Sequence, residues 1–280
     1  MKIAAIQMVS TPSVERNCET ARRLVAQAAR EGARLAVLPE YFCFMGRGDR
    51  DKLAIAEPPG DGPIQRMLAE TAREHRLWLV GGTLPLHGVA DVEKGKDGAR
   101  AMNANLVFSP EGEAVARYDK IHLFRYDNGR EQYDEGRTLL AGSTPASFEA
   151  DGHRVGLSVC YDLRFPELYR ALMRPPCDLL CVPSAFTASS GAAHWEVLLR
   201  ARAIENQCYV VAAAQGGTHE NGRRTFGHSL VIDPWGEIVA IRRDDGEGVV
   251  AAELSRERIA DVRSQLPALE HRRPFQSPGS

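Results

Sequence analysis

The 280-residue chain has no apolar run near the ~18 residues a membrane-crossing helix needs. Its opening, Met1-Lys2-Ile3-Ala4-Ala5-Ile6-Gln7, enters a strand-like pattern directly and lacks the shape of a cleavable signal. Charge imbalance is missing too. Lys and Arg number 35 against 37 Asp and Glu, a formal net charge of −2, so there is no electrostatic footprint for nucleic acid or an anionic membrane. The six cysteines (18, 43, 160, 177, 181 and 208) have no paired framework spacing, and most lie in apolar runs, which suits a reducing, cytoplasmic setting. Cys177 and Cys181 are the nearest pair, but no second Cys or His pair completes a zinc set, so they read as packing residues and no metal is expected.

What is there is ordinary for a globular protein. Hydrophobic residues make up 44% and charged residues 26%, enough to bury a core in one large α/β domain or two small ones. Lys2–Val9 reads as a strand. Asn17 is a candidate cap for a helix to Arg30 with Ala21, Leu24, Val25 and Ala28 on one face, and Gly32 stops it. The nearly all-apolar stretch 33–40 reads as a strand covered on both faces and ends in a carboxylate, Glu40. A helix over 63–76 and a strand over 77–84 follow, then a polar excursion over 87–100.

Two hairpins repeat one pattern. Residues 105–118 turn on Ser109-Pro110-Glu111-Gly112, which has type I turn preferences, and residues 229–242 turn on Asp233-Pro234-Trp235-Gly236. The match suggests two similar halves. Further strands are expected over 155–159, 178–184 and 208–215. Helices are expected after Pro166, over 192–207 with Val197, Leu198, Ala201 and Ile204 buried, and over 255–265. Strands joined partly by helices and partly by hairpins predict two mixed sheets packed together with helices outside. The tail from Pro267 has no apolar pattern and reads as mobile or as wrapping a partner.

Three reactive groups sit where strands run out. Glu40 ends one, Lys120 follows the first hairpin, and Cys160 ends Val155–Val159 just before a helix opening at Pro166. A free cysteine is ordinarily a small buried hydrophobe. One at the edge of a sheet, near a helix N-terminus and a cation, is instead a nucleophile candidate. His194 and His228 suggest a Cys–His dyad, but a histidine beside Trp195 is more often packed than catalytic.

In order along the chain, Leu38-Pro39-Glu40, Tyr118-Asp119-Lys120-Ile121-His122-Leu123-Phe124 and Val159-Cys160-Tyr161-Asp162-Leu163-Arg164-Phe165-Pro166-Glu167 resemble the blocks of the nitrilase superfamily of carbon–nitrogen hydrolases. The resemblance covers residues 1–266 as one domain and leaves 267–280 as a C-terminal tail. It implies an α/β fold, a four-layer αββα sandwich of two mixed sheets, a homodimer or larger assembly, and no metal or organic cofactor. It assigns Glu40 as general base and acid, Lys120 as oxyanion stabiliser and Cys160 as nucleophile. A second glutamate is best matched by Glu135, with Glu131 as the fallback. The Tyr161 backbone N–H would assist at the oxyanion.

Tyr161-Asp162 follows the nucleophile where true nitrilases carry Trp-Glu, which favours an amide over a nitrile. The 193–215 block, with Gly227-His228-Ser229 and Asp233-Pro234-Trp235-Gly236, resembles the branch that cleaves deaminated glutathione to 2-oxoglutarate and cysteinylglycine. Arg164 could pair bidentately with a 2-oxo acid carboxylate, or with Glu167 or another protein carboxylate. Ser190 stands where relatives often have a carboxylate-binding Thr. The rival amidase activities are ω-amidase action on 2-oxoglutaramate and hydrolysis of N-carbamoyl amino acids. Against the first, Tyr41-Phe42-Cys43-Phe44-Met45-Gly46 replaces the usual Cys-Phe-Asn-Ser-Pro-Tyr. A non-catalytic scaffold would have no need of all three reactive groups.

Overall fold

The structure is a computed structural model and describes residues 1–88, 100–129 and 132–273. Two large sheets carry the fold. In the first, Lys2–Gln7, Leu35–Val37 and Trp78–Val80 run parallel, with Gly248–Glu253 antiparallel on one side and Ala101–Phe108 antiparallel on the other. Ala101–Phe108 also pairs with Leu84–His87, Ala114–Asp119 and Leu139–Leu140. In the second, His153–Leu157, Leu179–Cys181 and Tyr209–Ala212 run parallel, with Ser147–Ala150 and Leu230–Ile232 antiparallel at the two sides and Ile238–Ile241 beyond.

The two sheets repeat one design of three parallel strands flanked by antiparallel ones and closed by a hairpin. The hairpin turns match bond for bond. Gly112 donates to the Ser109 carbonyl and Gly236 to that of Asp233, at 2.8 and 2.9 Å, and each final strand carries a register shift at the same place.

The alternation of side chains along each strand builds the layers. Ile3, Ala5, Leu35 and Val37 face the second sheet and pack with Val155, Leu157, Leu179 and Val211. Their neighbours Ile6, Ala36 and Leu38 face outward onto α1 (Val14–Arg30) and α2 (Pro63–His75), meeting Leu24, Val25, Ile64 and Leu68. The outer face of the second sheet is covered by α3 (Pro166–Leu172) and α4 (Ala188–Asn206), through Leu168, Leu172, Trp195 and Leu199. The result is the αββα sandwich the sequence predicts. A last helix, α5 (Arg256–Gln265), is capped by Ser255 and buries Ile259 and Val262.

Several sequence readings move. Ser13, not Asn17, caps α1; Asn17 lies buried inside the helix and bonds the Thr11 backbone and the Cys43 carbonyl, tying the helix to the loop that follows Glu40. The 77–84 strand is two strands, Trp78–Val80 and Leu84–His87, parted by Gly81-Gly82-Thr83. The face of α4 is wrong: Val197 and Ile204 are 67% and 47% exposed, while Trp195, Leu199 and Ala203 are buried. Of the polar excursion, residues 89–99 lie outside the described residues, as does the end of the tail, 274–280.

Gly82 positions the functional loop. It has φ +62°, and a Cβ there would sit 2.2 Å from the carbonyl oxygen of Pro39, the residue before Glu40. Gly60 has a similar φ of +83° with nothing within 4 Å. Gly60→Ala should therefore cost only the left-handed backbone penalty of about 1–2 kcal/mol. Gly82→Ala should cost about 1–3 kcal/mol more through overpacking and should reduce activity as well. Thermal unfolding of both variants checks this; equal losses would mean that the Pro39 contact is not limiting.

Candidate active site

Glu40 and Cys160 line one cleft with Glu135, Arg164 and Ser190, and Lys120 lies buried behind it, bonded to Glu40 and Glu135. Each arrives from the end of a strand. Glu40 lies three residues past Leu35–Val37, Lys120 directly follows Ala114–Asp119, and Cys160 lies three residues past His153–Leu157. Ligand sites gather at the carboxyl ends of parallel strands.

Lys120 is fully buried, and its Nζ donates to Glu40 Oε1 at 2.9 Å and to Glu135 Oε1 and Oε2 at 3.0 and 2.8 Å. Glu40 also accepts from Asn103 Nδ2 at 2.9 Å and from the Ala185 backbone N–H at 3.0 Å. Glu135 accepts from the Tyr41 hydroxyl at 2.8 Å and the Phe124 N–H at 2.7 Å. Glu135 thus meets Lys120 through both carboxylate oxygens. The fallback, Glu131, lies outside the described residues.

The electrostatics follow from burial and charge. Desolvation would push the Lys120 ammonium toward neutrality, but Glu135 and Glu40 outweigh it and raise its pKa above the ordinary lysine value. Burial would likewise raise Glu135; Lys120 and the Phe124 N–H outweigh it and hold the carboxyl below the usual range. Burial pushes the Cys160 thiol well above its ordinary value. Glu40 beside it acts in the same direction, and Lys120 offsets only part of this. Burial and Glu40 thus both favour the protonated thiol at Cys160.

The Cys160 backbone is left-handed, with φ +50°, at the start of a short 3-10 helix over Cys160–Arg164. A non-glycine residue in that conformation costs about 1–3 kcal/mol and needs outside support. Asp162 supplies much of it. Its buried carboxylate accepts from the Val159 N–H (2.8 Å), the Tyr118 hydroxyl (2.7 Å) and the His122 N–H (3.0 Å), with the His122 ring 2.7 Å away. Cys160 N–H donates to the Pro183 carbonyl at 2.9 Å. Tyr161 N–H lies in the first turn and has no acceptor among the described residues, so it remains a donor available at the sulfur.

Arg164 makes no ion pair with Glu167 or any other carboxylate among the described residues. Its guanidinium lies over the Phe186 and Tyr161 rings, 5.5 and 6.0 Å from their centroids, with His194 Nδ1 3.3 Å away. Ser190, in the first turn of α4, shares a 2.7 Å hydroxyl contact with the helix cap Thr187, which also lines the cleft. His228 pairs with Glu196, and no hydrogen bond joins it or His194 to Cys160. Cys177 and Cys181 are buried packing residues, and no cluster able to hold a metal occurs among the described residues.

Sequence reasoning missed Asn103, Tyr41, Asp162 and Arg223, all in or against the cleft. Asn103 left a signal, a polar residue in the otherwise apolar strand Ala101–Phe108.

Comparison with known proteins shows the family of the chain. The carbon–nitrogen hydrolase family model matches residues 2–264. Deaminated glutathione amidase of a Synechocystis strain is 42% identical over 96% of this chain and 97% of its own length. The Homo sapiens protein of that name is 42% identical over 97% of this chain and 82% of its own. The crystal structure of the Caenorhabditis elegans NitFhit protein superposes with a TM-score of 0.85 at 37% identity, covering 97% of this chain and 65% of that one.

Two outcomes test the electrostatics. Glu40→Gln removes a carboxylate that raises the thiol, so the thiolate absorbance difference between Cys160-containing and Cys160→Ala protein should appear at lower pH in that background. An unchanged titration would show that Glu40 does not govern the sulfur. Glu135 stabilises the fold fully above the ordinary carboxyl value of about 4.3, and that stabilisation is lost as pH falls through its lower folded value. Glu135→Gln should cost about 1.5–3 kcal/mol at pH 7 and leave a shallower acid limb in Tm against pH. Parallel acid limbs would refute the assignment.

Proposed function

From its membership of the carbon–nitrogen hydrolase family, to which the chain belongs over nearly its whole length, we propose that this amidase hydrolyses deaminated glutathione to 2-oxoglutarate and cysteinylglycine. The observation that carries the reading is that Cys160 and Glu40, the latter bonded to the buried Lys120, line a cleft that also holds an Arg164 without a carboxylate partner among the described residues. The relatives of that activity support the choice of substrate.

The chemistry proceeds in two halves. Cys160 Sγ attacks the amide carbonyl as its proton passes to Glu40, forming the S–C bond and a tetrahedral oxyanion. The Tyr161 N–H donates to that oxygen, and Lys120, relieved of part of its bond to Glu40 once that carboxylate is protonated, turns a donor toward it. One such donor is typically worth ~3–4 kcal/mol in the transition state. The C–N bond then breaks and Glu40 returns its proton to the departing nitrogen, leaving a thioester. In the second half water gives a proton to Glu40 and adds to the thioester; the C–S bond breaks and the proton goes back to sulfur. Glu135 holds Lys120 and, through Tyr41, the loop carrying Glu40. Arg164, with Ser190 and Thr187 at the start of α4, receives the 2-oxo acid carboxylate of the acyl half.

We read residues 1–266 as the single catalytic unit and the assembly as a homodimer or larger homo-oligomer. The exposed apolar side chains Val197 and Ile204 on α4, with Trp235 and Val239 of the second hairpin, support a partner surface there. Among the described residues no helix is long and apolar enough to cross a membrane. The cytoplasmic assignment rests on the six free cysteines.

The test compares kcat/KM for deaminated glutathione, 2-oxoglutaramate and N-carbamoyl-β-alanine. The first is expected to lead by at least about tenfold, a transition-state preference of about 1.4 kcal/mol. Cys160→Ala should remove turnover, and the Cys160 peptide of the wild type should carry an acyl adduct in quenched samples. Arg164→Ala should raise KM for the carboxylate-bearing substrates above all. Preference for 2-oxoglutaramate would make the protein an ω-amidase, and full activity in Cys160→Ala would end the mechanism.

A further inference from the structure

Beside the catalytic cleft lies a second, larger cavity of about 370 Å³, within the ~300–1,000 Å³ typical of small-molecule sites. Arg223 lines both spaces, and Tyr41 borders the outer one while holding Glu135 of the inner one. The outer cavity is polar and carries more positive than negative groups: Arg47, Lys52 and Arg223 against Asp49.

Two of those cations are under-engaged. Lys52 lies 5.1 Å from the centroid of the Tyr41 ring and makes no hydrogen bond or ion pair among the described residues. Arg223 donates to the Ala185 carbonyl at 2.8 Å and lies over the Tyr133 ring, but its Nε is buried without a partner. A buried donor left unpaired costs the desolvation it never recovers. The pKa of Lys52 is lowered by burial, which the nearby Glu135 and Asp49 only partly offset. Both cations stand to gain from an arriving anion.

We propose that this cavity is the leaving-group subsite, and that Lys52 and Arg223 there bind a carboxylate at the far end of a peptide-like leaving amine. The proposal rests on the amidase reading above and deepens it. A primary amide releases ammonia, which needs neither this volume nor two cations. A dipeptide spans at most about 7 Å, fills such a space, and ends in the charge that these groups lack. The substrates so selected are amides of an anionic dipeptide, discriminated from primary amides of the same acyl group at the leaving-group side and not at the acyl side.

The test keeps the 2-oxoglutaryl acyl half constant and varies the leaving group among ammonia, cysteinylglycine and cysteinylglycine amide, whose terminal carboxylate is capped. The wild type should favour the free carboxylate over its capped form by about tenfold or more in kcat/KM, as for a charged hydrogen bond. Lys52→Met should erase that preference with less than about a twofold change on 2-oxoglutaramate, and Lys52→Arg should retain most of it. Equal loss on all three amides would mean that Lys52 acts through Glu135 on the reacting centre, and the subsite would fall. Good cleavage of both dipeptide amides with no effect of capping would also overturn the subsite, while leaving the deaminated glutathione reading intact. Hydrolysis of 2-oxoglutaramate with neither dipeptide amide cleaved would sink both.

Discussion

A lysine ammonium with no solvent exposure is the constraint around which the site is built. Removing such a charge from water costs several kcal/mol even after relaxation, and only close carboxylates with good geometry return it. Lys120 has two, at 2.8–3.0 Å. The cluster of two carboxylates and one ammonium carries a net charge of −1, so ionising the neighbouring sulfur would place a second negative charge in the same buried volume. Burial and Glu40 accordingly raise the Cys160 thiol well above its ordinary value. In the proposed chemistry the thiol gives its proton to Glu40 as the S–C bond forms, and the charge moves to an oxygen facing the Tyr161 N–H.

The site is also where the two halves of the fold are joined. Glu40, Lys120 and Glu135 come from the first sheet and its hairpin loop, Cys160 and Arg164 from the second. The seam between them is stitched by polar side chains. Gln215 donates to the Ser10 hydroxyl and the Glu40 carbonyl, and Gln7 accepts from Ser229 while donating to the carbonyls of Asp244 and Gly246. Asp162 performs the same task on the other side by tying Tyr118 and His122, which flank Lys120, to the Cys160 turn. No half could hold the arrangement alone, since each contributes groups whose partners lie across the seam.

The sandwich, its repeated hairpins and the three reactive groups are legible in sequence because each leaves a local mark. Glu40, Lys120 and Cys160 are polar groups where apolar runs end, and Ser109–Gly112 and Asp233–Gly236 announce their turns. What is not legible depends on distant partners. Asn103 meets a carboxylate 63 residues away, and Tyr41 bonds one 94 residues on. Arg223 sits in a loop rich in Gly, Asn and Arg that reads as solvent-exposed until the fold lays it against Tyr133 and Ala185. The face of α4 misleads for a different reason. Apolar residues occur all round that helix, so spacing alone cannot separate Leu199, which meets the sheet, from Ile204, which meets solvent. Asn17 has a cap's chemistry but spends it on the Thr11 and Cys43 backbone, leaving the cap to Ser13.

Several unfavourable elements lie in this region, as others do elsewhere among the described residues: a buried ammonium, left-handed Cys160 and Tyr41, and an arginine Nε without a partner. Left-handed residues cost about 1–3 kcal/mol each, and an apolar replacement for the buried ions would often be neutral or stabilising. Packing therefore does not account for them. The interior around them is conventional, with Ile3, Val37, Leu157 and Val211 closed against one another, and its burial offsets the cost. The polar groups of the site are of two kinds. Those already satisfied, Glu135 and Asp162, fix geometry before any ligand arrives. Those left short of partners, Arg164, Lys52 and Arg223, all face open space, and on the proposed reading a substrate carrying a carboxylate at each end completes them.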